Sequence, residues 1–385
     1  MPKPKICVIS TSPLIVHFFL KPHLRALAET CDVTLAINPD NDPYTPPLAL
    51  PLRQEPIGIK RQIAPWQDFK TLIQLWHLFC REHYNVVWAV APKAGLLGMI
   101  AARVSCVPRR VFIFQGEVWA SRKGFGRWVL KLTDRITAAC ATHIIAVSRS
   151  EKDFLEAEGV VARNRIQVLG EGSIGGVDCA RFRSDPAARA DIRAALGIPA
   201  EATLALFMGR FTADKGIFDL AQAFAQAAAA RPHLWLLLVG PDEEKVTPKL
   251  HQLLGSVAER TRFTGFTDTP ERYMAAADFL CLPSYREGFG MVILEAAAAG
   301  IPSIGSRIYG ISDAIVENET GLLFDVGHAE KLCNAIAQLA DNADLRMRLG
   351  QAARARANED FEQSKIVGLY VDLLRNLAEN GRCRE

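Results

Sequence analysis

Short runs of uniformly apolar residues alternate along the chain with longer stretches in which apolar positions recur every three or four residues. The first kind predicts strands buried on both faces, the second amphipathic helices. In the first half "KICVIS", "DVTLAIN", "NVVWAVAP", "RRVFIFQG" and "THIIAVS" read as strands. "HLRALAETC", "APWQDFKTLIQLWHLFCREH" and "AGLLGMIAARVSC" read as helices, and "NPDNDPYTPPLALPLRQEP" as a loop rich in proline and aspartate. The alternation pauses at "CARFRSDPAARADIRAALGIPAEA", which is polar and punctuated by proline. It restarts with the strands "TLALFMGR", "LWLLLVG", "TRFTGF", "DFLCLPS", "PSIGS" and "GLLFD", with helices such as "IFDLAQAFAQAAAA" and "GMVILEAAAAG" among them. Alternating strands and helices predict parallel sheets covered on both faces. The pattern therefore predicts an α/β chain of two tandem Rossmann-like, doubly wound domains, residues 1–180 and 181–362, facing each other across a cleft. A closing helix over 363–385 is expected to pack back toward the first domain. Ligands of such sheets gather at the carboxyl ends of the strands.

The length of 385 residues suits two cores rather than one, and 49% hydrophobic with 23% charged residues excludes a disordered chain. Charge is unevenly spread. Residues 1–180 hold 22 Lys and Arg against 15 Asp and Glu, a net of +7, and the remainder holds 23 against 27, a net of −4. A basic first half is suited to an anionic partner. The nine cysteines form no C-x-x-C pair, which fits neither a zinc site nor a disulfide framework and points to free thiols in a reducing cytoplasm. The amino-terminal "MPKPKICVISTSPLIVHFFL" is interrupted by Pro13 and His17 and reads as a buried strand, a turn and a helix rather than a signal segment. No apolar run is long enough to span a membrane. The D-x-D spacing of Asp40 and Asp42 lies in the proline-rich loop and reads as a turn.

Four strand ends in the second half carry candidate chemistry. "YREGFGMVILEAAAAG" places Glu287 in a loop with Gly288, Phe289 and Gly290, at the start of a helix that carries Glu295. A helix start preceded by glycines favours phosphate, because its N–H groups are free and its dipole is positive there. Two carboxylates flanking such a site suit paired hydroxyls, one of a ribose and one of a sugar. "FMGRFTADKGIFDL" places Arg210 and Lys215 just after Gly209, where two cations suit a departing diphosphate without a metal. "LLLVGPD" adds Gly240, and "FTGFTD" adds Gly265 with Phe266 as a wall for a base. Taken singly, each also reads as an ordinary α/β turn or a solvated loop. Together they converge on one rim.

These residues resemble the family-4 retaining glycosyltransferases, which have the GT-B fold. The E-x7-E signature matches Glu287 and Glu295, and the basic pair matches Arg210 and Lys215. "GISDAIVENETGLLF" and "GSIGGVDCARF" match two further stretches of that family. The resemblance implies a nucleotide-diphosphate sugar donor, most often UDP-linked, and transfer with retained anomeric configuration. Glu287 would face the donor sugar, Glu295 the ribose, and Arg210 with Lys215 the leaving diphosphate. No metal or other cofactor is implied. Where many relatives carry histidine, this chain has Gln115, followed by Gly116 and Glu117. Gln115 cannot titrate near neutrality, so positioning of the acceptor is expected there. His17 is a further candidate on that side.

The acceptor is hinted at by "ASRKGFGRWVLKLTDRI". Phe125, Trp128, Val129, Leu132 and Ile136 share one helical face, and Arg127, Lys131 and Arg135 another. With Arg122 and Lys123 this reads either as a basic helix lying on an anionic membrane, through Arg122, Lys123, Arg127, Trp128 and Lys131, or as a core-facing helix with a solvated back. The first reading suits a polyprenyl-diphosphate-linked saccharide acceptor and a cytoplasmic protein peripheral on the inner membrane face, as the resemblance to enzymes of bacterial surface polysaccharide assembly implies. A nicotinamide-dependent oxidoreductase is excluded, since "ICVISTSPLIVHF" has no glycine for a G-x-G-x-x-G turn. A nucleotide-sugar 2-epimerase of the same fold and a non-catalytic sugar-nucleotide binder remain alternatives. No nucleic-acid motif is present.

Overall fold

The computed structural model describes residues 2–41, 48–60 and 62–380. Asp42 of the D-x-D spacing lies outside them. The chain forms two compact units. One takes in the residues up to Gly175 and those from Ser364 onward; the other runs from Gly176 to Gln363. The chain thus leaves the first unit a few residues ahead of the 180 boundary, at a glycine pair.

The first unit is built on seven parallel strands: β1 (Lys5–Ser10), β2 (Asp32–Ile37), β3 (Arg53–Pro56), β4 (Val86–Val90), β5 (Arg109–Phe114), β6 (His143–Ala146) and β7 (Ile166–Val168). Their order is β3-β2-β1-β4-β5-β6-β7. The five central strands coincide with the predicted apolar runs. β3 and β7 were not expected, because "RQEP" and "IQV" at the two sheet edges carry no sustained apolar pattern. The helices Pro65–Glu82, Pro92–Val104 and Gly124–Cys140 share one core with this sheet, centred on Leu75, Phe79, Leu97, Phe112 and Phe114.

The second unit has six parallel strands: β8 (Thr203–Met208), β9 (Leu234–Val239), β10 (Thr261–Thr264), β11 (Phe279–Leu282), β12 (Ser303–Ser306) and β13 (Gly321–Phe324). Their order is β10-β9-β8-β11-β12-β13. β8 and β11 are neighbours although two strands separate them in sequence, so the order turns between them. At such a switch point the connections leave in opposite directions and open a crevice. "LFM" and "LCL" are apolar at every position because helices cover both faces of the strands.

Among the described residues no helix is long and apolar enough to cross a membrane.

Candidate active site

The loops that follow β8 and β11 meet at that switch point. A Cβ on Gly216 would lie 2.0 Å from the Pro283 carbonyl oxygen, and Gly216 has a left-handed φ of 68°. Only glycine lets the two loops close to this distance. Polar contacts then staple them. Lys215 Nζ lies 2.5 Å from Glu287 Oε1, with both side chains largely buried. Arg286 Nη2 donates to Asp214 Oδ2 at 3.0 Å, the Tyr285 amide to the Asp214 carbonyl at 2.8 Å, and the Tyr285 hydroxyl to Asp219 at 2.6 Å. Burial works against the charge on Asp214, but the Thr212 hydroxyl and the Arg286 guanidinium hold its carboxyl below the ordinary carboxylate value.

Glu287 also accepts a hydrogen bond from the buried Ser284 Oγ at 3.1 Å on the same Oε1. Its Oε2 is left without a hydrogen bond to the described residues. From the other side, Gly310 brings its loop onto Glu287 and Gly288: a Cβ there would lie 2.4 Å from the Gly288 carbonyl oxygen. Gly290 then opens the helix Met291–Ala299. Arg210, next to Gly209, donates to Glu243 at 3.0 Å.

Glu295 sits in the second turn of that helix, half-buried, with no hydrogen-bond partner among the described residues. Burial pushes its carboxyl up to about 7, partly offset by the nearby Arg181 and reinforced by Glu271. Arg181 is itself held by Glu271 at 2.9 Å and the Asp268 carbonyl at 3.1 Å. A desolvated carboxylate lacking donors is suited to hydroxyl ligands. Gly240 follows β9, and Gly265 with the half-buried Phe266 follows β10, so all four predicted loops leave the same edge of the sheet. Phe289 departs from expectation. Its ring is buried against Phe361, with centroids 5.3 Å apart, so it belongs to the core and offers a ligand only its backbone.

In the first unit, Gln115, Gly116 and Glu117 follow β5. Gln115 Nε2 is buried without a hydrogen-bond partner among the described residues. Glu117 is corrected: it is almost fully buried, out of an acceptor's reach, and its charge acts on the buried Glu151. Glu151 lies in the first turn of the helix Arg149–Ala157, where Ser148 caps its amide, and its carboxylate accepts from the Gly116 amide at 2.5 Å and the Val147 amide at 2.9 Å. Sequence reading missed it. The S-x-x-E spacing of Ser148 and Glu151 was the available signal. Burial, then the charge of Glu117, pushes the Glu151 carboxyl well up, so Glu151 keeps its proton to higher pH than a free glutamate does. A raised folded-state value means that this stability is full below about 4.5 and drains away as pH rises. Glu117→Gln, which removes the neighbouring charge, is therefore expected to flatten the fall of Tm between mildly acidic and alkaline pH. A slope equal to that of the unmodified protein in a thermal melt series would reject the influence of Glu117 on Glu151. His17 lies in a π-helical turn after β1 with Nδ1 2.9 Å from Lys21 Nζ.

The helix Gly124–Cys140 departs from the basic-membrane reading at Arg127 and Lys131 and leaves Arg122, Lys123 and Trp128 exposed. Arg127 and Lys131 point inward, to Glu158 at 2.8 and 2.6 Å and onto the Trp119 ring. Trp119 is buried and donates to Asp134 at 2.7 Å, and burial pushes that carboxyl up to about 6. Phe125, Trp128, Leu132 and Ile136 are left exposed, with Arg122 and Lys123 just ahead of them in the chain. The core-facing alternative fails for the same reason: the apolar stripe does not enter the core.

A family model described as "Glycosyl transferases group 1" matches residues 188–356, and one described as "Glycosyl transferase 4-like domain" matches residues 23–172. A capsular polysaccharide biosynthesis glycosyltransferase of Staphylococcus aureus is 30% identical, over 83% of this chain and 84% of its own length. A UDP-Gal:alpha-D-GlcNAc-diphosphoundecaprenol alpha-1,3-galactosyltransferase of Escherichia coli is 28% identical over 82% of each chain. Among solved structures, a sucrose-phosphate synthase from Thermosynechococcus elongatus superposes with a TM-score of 0.83 at 24% identity, covering 98% of this chain and 100% of that one.

Proposed function

The chain belongs to the group 1 glycosyltransferases of GT-B fold, and from that premise we propose that it moves a sugar from a UDP-sugar to a hydroxyl of a lipid-linked saccharide. Transfer proceeds with retention, without a metal, in the building of cell-surface polysaccharide. The observation that carries this is the Lys215–Glu287 pair, placed with Ser284 at the switch point between β8 and β11. The relative from Escherichia coli, whose name specifies a UDP-sugar donor and a diphosphoundecaprenol-linked acceptor, supports the choice of both substrates.

In this reading Glu287 Oε2 takes a hydroxyl of the donor sugar, and the ammonium of Lys215 and the guanidinium of Arg210 face the diphosphate. The bond from the anomeric carbon to the diphosphate oxygen breaks as negative charge builds on that oxygen. Fixed cations stabilise this charge more than they stabilise the bound donor, which is the condition for acceleration. The acceptor oxygen bonds to the same face of the anomeric carbon, and its proton passes to the departing phosphate. Glu295 accepts from the ribose hydroxyls. Gln115 orients the acceptor.

The epimerase alternative calls for acid and base groups in the first unit, and the burial of Glu117 and Glu151 speaks against that pair serving so. Sugar release that depends on an added acceptor separates transferase from epimerase and from passive binder. The first test is a thermal-shift panel of UDP, GDP, ADP and their common sugars in the presence of a chelator. UDP and UDP-sugars are expected to raise Tm by a few degrees, and the chelator to leave the rise intact. A shift with GDP or ADP alone would reassign the base, and a shift abolished by the chelator would remove the metal-free reading.

A further inference from the structure

We infer that Glu151 is a positioning residue of the transfer reaction: its carboxyl ties the loop after β5 to the loop after β6 and so fixes Gln115 in place. The inference rests on the acceptor role proposed above for Gln115 and assigns the group that holds it.

β5 and β6 are neighbours in the first sheet, and their ladder ends at Phe114 opposite Ala146. Beyond that pair the strands part, and the amides that follow lose the partner a ladder supplies. One carboxyl takes an amide from each side. Glu151 Oε1 accepts from Gly116 at 2.5 Å and Oε2 from Val147 at 2.9 Å. Gly116 has a left-handed φ of 87°, so the chain turns sharply just after Gln115. The carboxyl is itself held from behind. Ser148 Oγ accepts from the Glu151 amide at 3.1 Å, and the Ser173 amide donates to the Val147 carbonyl at 2.6 Å. The Tyr370 hydroxyl, on the closing helix, donates to the Ser173 carbonyl at 3.0 Å. Ser148, Glu151, Ser173 and Tyr370 are all fully buried. A continuous line of bonds therefore runs from the closing helix to Gly116, and every residue in it belongs to the first unit.

Stability alone argues against such a group. A fully buried carboxyl beside the equally enclosed Glu117 loses its hydration and faces a like charge. Ordered water at a loop end would serve the same two amides at less cost. What the carboxyl adds is a fixed direction. Gln115 Nε2, on the residue before the tied Gly116 amide, is buried without a hydrogen-bond partner among the described residues. A buried donor of this kind calls for an oxygen brought by a ligand. It selects that oxygen only when it is held to within about 0.5 Å.

Glu151→Gln is the test. A carboxyl oxygen accepts an amide hydrogen whether or not the group carries its proton, whereas an amide nitrogen cannot accept. The variant keeps the shape and loses one of the two ties at every pH. The probe is N-acetylglucosamine on a short polyprenyl diphosphate. Its KM should rise about tenfold, since a misplacement of 1 Å costs up to roughly a hundredfold. KM for the UDP-sugar and the UDP-induced thermal shift should be unchanged. Amide exchange of residues 114–118, followed by mass spectrometry without substrates, should quicken about tenfold. Leu155→Ala, in the core on the same helix, is the control. It should lower Tm at least as much and leave both readouts unmoved. Should Glu151→Gln fail to fold, Ser148→Ala, which removes only the cap, should give the same changes at about threefold. An unchanged probe KM in folded Glu151→Gln, or an equal rise in Leu155→Ala, would overturn the inference. No transfer to the probe by the unmodified chain, with the UDP shift intact, would refute the lipid-linked acceptor instead. Exchange then decides: quickening confined to 114–118 upholds the tie, and unchanged exchange overturns it.

Discussion

Lys215→Ala is expected to lower kcat on the order of 10^3-fold while changing the dissociation constant for UDP far less. Lys215 stands where charge appears on the leaving diphosphate, and removing one preorganised donor from such a position costs about two to three powers of ten. It has a second task, since its ammonium holds Glu287 Oε1 at 2.5 Å. Without it, Glu287 keeps only the Ser284 hydroxyl, and its carboxylate loses the partner that compensates burial. Glu287→Ala is therefore expected to reproduce most of the same loss, and the double variant to be little worse than either single one, because the two groups act as a unit. Steady-state kinetics with an acceptor, and UDP binding by calorimetry on the same preparations, separate the two effects. A kcat within about threefold of the unmodified enzyme in a folded Lys215→Ala protein would falsify the assignment. Multiplicative losses in the double variant would mean that the pair does not work together.

Glu295→Gln is expected to weaken UDP binding about ten- to a hundredfold and to make the free protein more stable. The carboxylate has no hydrogen-bond partner among the described residues, and burial pushes it up to about 7 from an ordinary 4.5. Only the ionised form accepts two ribose hydroxyls. Affinity for UDP should thus be constant above about pH 7.5 and fall as pH drops through 7, approaching tenfold per unit below it. In Glu295→Gln that dependence should vanish. Stability has the opposite sign. A raised folded-state value means that the native protein binds the proton more tightly than the unfolded chain. Its contribution is full below about 4.5 and is lost as pH rises to about 7. At pH 8 the ionised, unpartnered carboxylate is a liability, and glutamine should raise Tm, the usual exchange of stability for function at a binding site. Equal UDP affinity in both proteins, or a lower Tm in the variant at pH 8, would remove Glu295 from the nucleotide site.

The central strands, the two-unit α/β plan and the four loops at the carboxyl edge of the second sheet were legible in the chain itself. Uninterrupted apolar runs can be buried on both faces only in a covered parallel sheet, and glycine and charge at their ends mark the exits. That Glu287, Arg210 and Lys215 stand in strand-end loops, and Glu295 in the helix after one, was readable for the same reason, since spacing relative to strand ends and helix starts is a local property. The edge strands β3 and β7 were not legible, because they are short and owe their conformation to a neighbour rather than to their own pattern.

Orientation was the property that tertiary structure alone decided. Helical spacing grouped Arg127 with Lys131 and Phe125 with Trp128 correctly, but it does not say which group faces inward. Glu158, 27 to 31 residues on, and Trp119, just ahead of the helix, drew the cations in and left the rings outside. Glu117 looked like a loop carboxylate open to a ligand until the fold placed Glu151 against it. Phe289 looked like part of a phosphate loop until Phe361, some seventy residues on, covered it. Periodicity fixes which residues share a face. Which face is buried depends on partners brought together by the fold.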